Sequence, residues 1–364
     1  MTKLHELSQQ GQAAWFDYIR RSFLTAGELA SWVEKGIRGV TSNPAIFEKA
    51  IAGTDDYDAE MKQLTAAGKS VAEIYETLVL ADIQQAADIL RPVYEATNGA
   101  DGYVSLEVDP ALAHDTEQSI AEAKRLFTAL ARPNVMIKIP ATAAGVPAVE
   151  EAISQGINVN VTLIFSLSHY EAVAWAYIRG LERLLAAGND LSKIASVASF
   201  FVSRVDTAVD GELAKLGHND LQGKIAIDNA RLAYARFLEI FSGDRWGKLV
   251  RAGARVQRPL WASTGTKNPD YDDTLYVDTL IGPDTVNTMP PSTLNAFLDH
   301  GKVAPTVGND IDGARARMAA LAGRNIDLVA ITEKLQEEGV VSFANAFKSL
   351  MKSISEKRQS FAAS

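Results

Sequence analysis

Cysteine is absent from all 364 residues. That excludes a disulfide scaffold, a thiol nucleophile, a cysteine-ligated zinc and an iron–sulfur cluster. Histidine is sparse. His5, His114, His169, His218 and His300 are scattered, with none of the H-x-H or H-E-x-x-H spacings that hold a catalytic metal. We therefore expect no metal and no cofactor. Basic charge is in deficit, with 36 Lys and Arg against 45 Asp and Glu and a net charge of −9. A nucleic-acid surface normally shows a basic stripe, so no nucleic-acid partner is expected. One or two arginines in a pocket would still serve an anionic small substrate. No run approaches the roughly 18 apolar residues of a membrane span. The start, MTKLHELSQQGQ, has no apolar core of a secretory signal. The expectation is a cytoplasmic protein with no membrane partner. No G-x-G-x-x-G turn follows an early strand, and Gly265-Thr266-Lys267 lacks the upstream glycine of a P-loop. Repeats and low-complexity stretches are missing too.

What is present is ordinary for a large core: 47% hydrophobic and 22% charged residues. Strand-like and helix-like segments alternate throughout. Strands are predicted at 13–19, 38–42, 103–108, 134–139, 158–165, 194–201, 257–263 and 274–281. Thr25 and Glu28 have capping-box spacing and predict a helix to about Lys35. Residues 54–98 hold helical periodicity in two pieces, broken near Gly68-Lys69-Ser70. Further helices are predicted at 116–130, from 146, and at 167–187, 202–216 and 221–241. Eight strands with long crossovers point to an α/β fold, a (β/α)8 barrel with extra helices, more than to an open doubly wound sheet. The whole chain, 1–364, is read as one barrel domain. Its extra parts are the insertion near 54–98 and a C-terminal helical extension at 304–364. In that extension Phe343, Phe347, Leu350 and Ile354 form one stripe, with Lys348, Lys352 and Lys357 largely elsewhere. The stripe fits either a cover for the barrel or the interface of a homodimer.

The stretch VMIKIPAT at 135–142 organises the rest. It reads as a strand with apolar residues on both faces, yet its fourth residue is Lys138. A buried lysine tends to become a neutral amine, and a neutral amine on a rigid strand can form a Schiff base with a carbonyl. The bland alternative is a lysine that snorkels from a strand end or guards a sheet edge. In a barrel, reactive groups sit at the C-terminal ends of different strands. Here those ends carry Asp17, Asn43, Glu107, Lys138, Asn160 with Thr162, Ser199 and Ser263. Each has its own bland reading, such as a turn, a satisfied core polar or a small packing residue. Two carboxylates, a lysine and several amides converging on one barrel mouth favour a functional site.

The segment GVTSNPAIF at 39–47 resembles the first transaldolase signature. The lysine strand, with Ala141, Thr142 and Gly145 after it, resembles the second. The order Asp, Asn, Glu, Lys, Asn-x-Thr, Ser, Arg, Ser is also similar to that family, strand by strand. The resemblance covers roughly residues 10–300, and the insertion and long tail resemble the larger bacterial type. It implies a class I aldolase mechanism. Lys138 would attack the C2 ketone of fructose 6-phosphate or sedoheptulose 7-phosphate, and no metal would be needed. Glu107, through a water held by Thr162, would move protons during Schiff-base formation. Asp17 would take the proton of the C4 hydroxyl. Asn43, Asn160 and Ser199 would bind substrate hydroxyls. Arg204 and Ser263 match phosphate contacts. Where related enzymes have an arginine just after that serine, this chain has STGTK at 263–267. Lys267 is the candidate replacement, a point charge without the bidentate fork.

Two rival readings remain at this stage. One is an aldolase that releases free dihydroxyacetone. Phe201 beside the pocket offers no hydroxyl to protonate the intermediate, which favours transfer to an acceptor sugar phosphate such as glyceraldehyde 3-phosphate or erythrose 4-phosphate. The other is a non-catalytic barrel that binds sugar phosphates. Its signature would be loss of Lys138, Asp17 or Glu107, and all three are present.

Overall fold

Eight strands are wound into a barrel in the computed structural model, which describes residues 1–362. They are β1 (Gln12–Phe16), β2 (Gly39–Thr41), β3 (Tyr103–Glu107), β4 (Val135–Pro140), β5 (Val159–Ile164), β6 (Ser196–Phe201), β7 (Arg258–Ala262) and β8 (Thr285–Met289). Each pairs in parallel with the next, and β1 pairs with β8 to close the sheet. With the exception of Arg258, every strand residue is buried. Helices cover the outside of the sheet and side chains fill its interior, which is why these strands read as apolar on both faces. This is the (β/α)8 barrel expected.

Seven strands lie where the sequence puts them. The eighth does not. Residues 274–281 are rich in β-formers but include a short helix, Leu275–Asp278, and the eighth strand is Thr285–Met289. Two local bonds account for the difference. The Asp272 carboxylate accepts from the Thr274 backbone N–H and hydroxyl, which starts a turn. The true strand, TVNTM, carries three buried polar side chains, Thr288 lining the barrel mouth and Thr285 and Asn287 on the opposite face of the sheet. Thr25 also departs from expectation. It ends a helix, Arg21–Thr25, and its hydroxyl donates to the Arg21 carbonyl. The following helix, Glu28–Lys35, starts from Gly27 in the left-handed region, with no side-chain cap.

The insertion forms two helices, Asp58–Ala66 and Val71–Ala96. The break between them is a capping box, with Ser70 and Glu73 each bonding the other's backbone N–H. The tail forms the helices Ile311–Ala322 and Leu328–Ala362. Within the chain the apolar stripe faces inward. Phe343, Leu350 and Ile354 are buried, and Lys348 and Lys352 are exposed. The last helix packs on Pro44–Ala52, Asp58–Ala66 and Val71–Ala96. Gln336 Nε2 donates to the carbonyls of Ala141 and Leu163, each at 3.0 Å, so the helix is tied directly to the ends of β4 and β5. Farther along, Lys357 pairs with Asp58 at 2.7 Å. Among the described residues, no helix is long and apolar enough to cross a membrane.

Candidate active site

Lys138 stands in register between Glu107 on β3 and Asn160 on β5, with only 5% of its surface exposed. Its Nζ donates to the Ser42 carbonyl at 3.0 Å and lies 3.4 Å from Glu107 Oε2. It faces a cavity of about 110 Å³ at the C-terminal end of the barrel. Asp17, Asn43, Thr162, Ser199, Arg204 and Ser263 line the same cavity. Seven of the ten site residues anticipated from sequence thus share one small space. Glu107 adjoins it through Lys138. Asn160 and Lys267 stand apart: Asn160 is fully buried outside the lining, and Lys267 is exposed and also outside it.

Asp17 follows β1, and its backbone N–H donates to the Met289 carbonyl at the end of β8. Thr41 Oγ1 donates to Asp17 Oδ1 at 2.6 Å and also lies 2.6 Å from Thr288 Oγ1. Burial raises the Asp17 carboxyl above the usual range, against the Thr41 hydrogen bond and the Lys138 charge, which lower it. Glu107 is likewise raised by burial. The charge of Lys138 pulls it down, and the Asp17 charge pushes it up again. Two carboxyls that hold protons more tightly than usual make stronger bases, and both are near one amine. That arrangement suits proton transfer.

Thr162 lies where β5 departs from regular pairing. The register with β6 shifts between Val161 and Ile164, and Leu163 takes a positive φ of 58°. A bulge of this kind re-aims a side chain, and its strain is held in place by what packs on it. Here that is Gly339 of the last helix, so close to the Leu163 side chain that a Cβ on it would come within 2.8 Å. Thr162 Oγ1 and Glu107 Oε2 are both buried without a hydrogen-bond partner among the described residues.

Asn43 Oδ1 caps the Pro44–Ala52 helix by accepting from the Ile46 N–H at 3.0 Å. The cap uses its oxygen and leaves its NH2 as a donor for a ligand. Asn160 accepts from Ser199 Oγ at 2.7 Å and donates to Ser105 Oγ at 3.0 Å, so it holds a residue of the cavity wall from below. Arg204, at the start of the helix Ser203–Lys215, lies over the Phe201 ring, 5.4 Å from its centroid. It has no ion-pair partner among the described residues, and burial lowers its pKa. A half-buried guanidinium with an open fork suits a phosphate.

Thr41, Thr288, the Ser42 carbonyl and Phe343 belong to the site and were not singled out from sequence. Thr41 and Ser42 lay within the GVTSNPAIF motif. Thr288 was hidden by the misplaced eighth strand. Phe343 showed only as one residue of an apolar stripe. A larger neighbouring cavity of about 210 Å³ reaches Glu107 between the insertion and the last helix, but Lys138 does not line it. One group of potential metal ligands, Asp272, Asp273 and His300, occurs among the described residues. It is wholly exposed and is accounted for by ion pairs of His300 with carboxylates.

Known proteins resemble this chain along most of its length. A family model described as Transaldolase/Fructose-6-phosphate aldolase matches residues 14–354. Transaldolase 2 of Nostoc punctiforme is 50% identical, covering 97% of each chain. A transaldolase of Thermobifida fusca is 51% identical, over 97% of this chain and 98% of its own. Transaldolase 1 of Streptomyces avermitilis is 52% identical, over 96% and 94%. Barrel, lysine strand and full-length similarity lead to one conclusion: the chain belongs to the transaldolase/fructose-6-phosphate aldolase family and is similar along its length to the family's transaldolases.

Proposed function

We propose that Lys138 is the Schiff-base nucleophile of a cytoplasmic transaldolase that acts on sugar phosphates. The observation that carries this is the buried amine 3.4 Å from Glu107, opening on a cavity shared with Asp17. The amine adds to the C2 ketone of the donor, fructose 6-phosphate or sedoheptulose 7-phosphate. Water leaves from the carbinolamine to give the imine. Glu107 relays the protons of these steps through a water hydrogen-bonded to Thr162. The unpartnered Oε2 and Oγ1 atoms support that role.

Asp17 takes the proton of the C4 hydroxyl, the C3–C4 bond breaks, and the electron pair flows into the iminium. The first product leaves as an aldose phosphate. Carbon 3 of the retained unit then attacks the aldehyde of the acceptor, and Asp17 returns the proton to the new hydroxyl. The water beside Glu107 hydrolyses the new iminium to release the product ketose and the Lys138 amine. The protonated imine is the electron sink, so the residues described suffice for the reaction. Arg204 and Ser263 hold the phosphate, and Asn43 and Ser199 hold hydroxyls. The extension at 304–364 serves the same domain as its roof.

The test is borohydride reduction in the presence of fructose 6-phosphate, followed by peptide mass mapping. A stable adduct on Lys138, absent in Lys138→Ala, is expected. Substrate binding without any adduct would overturn the mechanism and leave a binding barrel.

A further inference from the structure

The wall of the lysine cavity contains one ring that the barrel does not supply. Phe343, about two turns beyond Gln336 on the last helix, lies with its ring centroid 5.8 Å from Lys138 Nζ, and only 6% of its surface is exposed. One side of Phe343 lines the lysine cavity. The same residue also lines a small apolar space with Val108, Pro110, Pro140 and Leu163, and that space reaches Glu107. Phe343 therefore stands at the boundary between the amine and the back of the catalytic carboxyl. The ring is held there by the helix that carries it. Gln336 bonds the Ala141 and Leu163 carbonyls, and Gly339 lets the helix descend onto Leu163. Val340, on the same turn, helps to enclose the apolar space.

The reaction makes this wall consequential. After C3–C4 cleavage the three-carbon unit remains on Lys138 as an enamine, waiting for an acceptor. If C3 takes a proton instead, the resulting iminium can be attacked by water at C2. The C2–N bond then breaks, dihydroxyacetone leaves and the Lys138 amine is regenerated. The water held by Glu107 and Thr162 must hydrolyse every product iminium at that carbon. What decides release is therefore whether a further water can protonate C3, and an apolar wall that admits none suppresses this side reaction. A water needs roughly 30 Å³ of space. Replacing a phenyl ring by a methyl would open room for it directly above the amine and join the two spaces that the ring divides.

We propose that Phe343 is a specificity-determining residue, the apolar roof that keeps a proton-donating water from C3 of the covalent three-carbon enamine and so makes the enzyme transfer the unit instead of releasing it. This rests on the Schiff-base reading above. It assigns to the C-terminal extension a part in choosing between the two reactions open to a lysine barrel.

The experiment measures two rates from fructose 6-phosphate. One is free dihydroxyacetone released without acceptor, and the other is sedoheptulose 7-phosphate formed with erythrose 4-phosphate. Phe343→Ala is expected to raise the ratio of release to transfer by about tenfold or more, and Phe343→Leu by a smaller factor in the same direction. Should the alanine variant fail to fold, the leucine variant, which keeps an apolar roof, is read on the same ratio. A folded variant in which both rates fall together at an unchanged ratio would overturn the proposal and reduce Phe343 to a packing residue. Borohydride adducts on wild type and variants separate this outcome from failure of the mechanism. An adduct with an unchanged ratio sinks only the role of Phe343, and no adduct in wild type sinks the Schiff base itself.

Discussion

Two clusters of buried charge in this molecule are built differently. In the insertion, Asp82 is fully buried and both its oxygens are engaged, one by Arg21 Nε and the other by the Tyr57 hydroxyl at 2.8 Å. Arg21 also reaches Glu60 at 2.6 Å and the Leu78 carbonyl. In the barrel, Glu107 Oε2 has only Lys138, at 3.4 Å and without a hydrogen bond, and Thr162 Oγ1 has no partner. Burial raises the carboxyls of Asp82 and Glu107 alike. What separates them is how completely their atoms are satisfied. A saturated cluster fixes two helices to the barrel. An unsaturated one keeps lone pairs and protons available for a substrate, which is how strain and imperfect pairing come to mark working sites.

The comparison breaks most visibly under deletion. Asp82→Ala leaves Arg21 Nε and the Tyr57 hydroxyl buried without their acceptor, with only Glu60 and the Leu78 carbonyl still bonded to the guanidinium. A loss of about 3–5 kcal/mol in unfolding free energy is expected, with activity per folded molecule retained. Lys138→Met should do the reverse at pH 5. Turnover disappears and stability changes little, because Glu107 can neutralise itself by taking a proton. Urea unfolding of the two variants reads this directly. An equal loss of stability in both would show that the two clusters are structural in the same sense.

A third buried carboxyl sharpens the contrast through pH. Asp206 is pushed up to about 7 by burial, although the Ala226 N–H and the Tyr276 hydroxyl both donate to it. A carboxyl whose pKa is raised on folding binds its proton more tightly in the folded state. Its contribution is therefore fully present below the ordinary carboxylate pKa and is lost as pH rises through about 7. Stability of the wild type should fall between pH 5 and 8, and Asp206→Asn should flatten that slope. If the slope survives in the variant, another group is responsible.

The smallest effect concerns the contact between roof and bulge. Gly339→Ala would place a Cβ 2.8 Å from a terminal methyl of Leu163, which can partly give way. A loss of about 1–3 kcal/mol is expected, with a disproportionate fall in turnover because Thr162 adjoins the strained residue. Equal activity per folded molecule would separate the bulge from the chemistry.

Most of the barrel was legible because seven of the strands are short segments rich in apolar residues that alternate with segments of helical periodicity. The eighth was not, since TVNTM looks like a loop until the fold hides Thr285, Asn287 and Thr288. The same misplacement concealed Thr288 as a neighbour of Thr41. Charged and amide residues at strand ends were readable because burial makes them costly, and seven of the ten expected residues line one cavity. Asn160 shares that chemistry but acts one layer down, a difference in depth that strand periodicity does not encode. Lys267 was placed by analogy with an arginine, and it lies exposed outside the cavity lining. Phe343 lay beyond any such reading, because a helix stripe says that something is covered without saying what.

The tie between Gln336 and the Leu163 carbonyl joins residues 173 positions apart, and it has a consequence in time. On the ribosome the last barrel strand is complete at Met289, well before Phe343 is made. At roughly 5–20 residues per second, several seconds pass between the two. For that interval each new chain holds all eight strands and Lys138, with no roof above it.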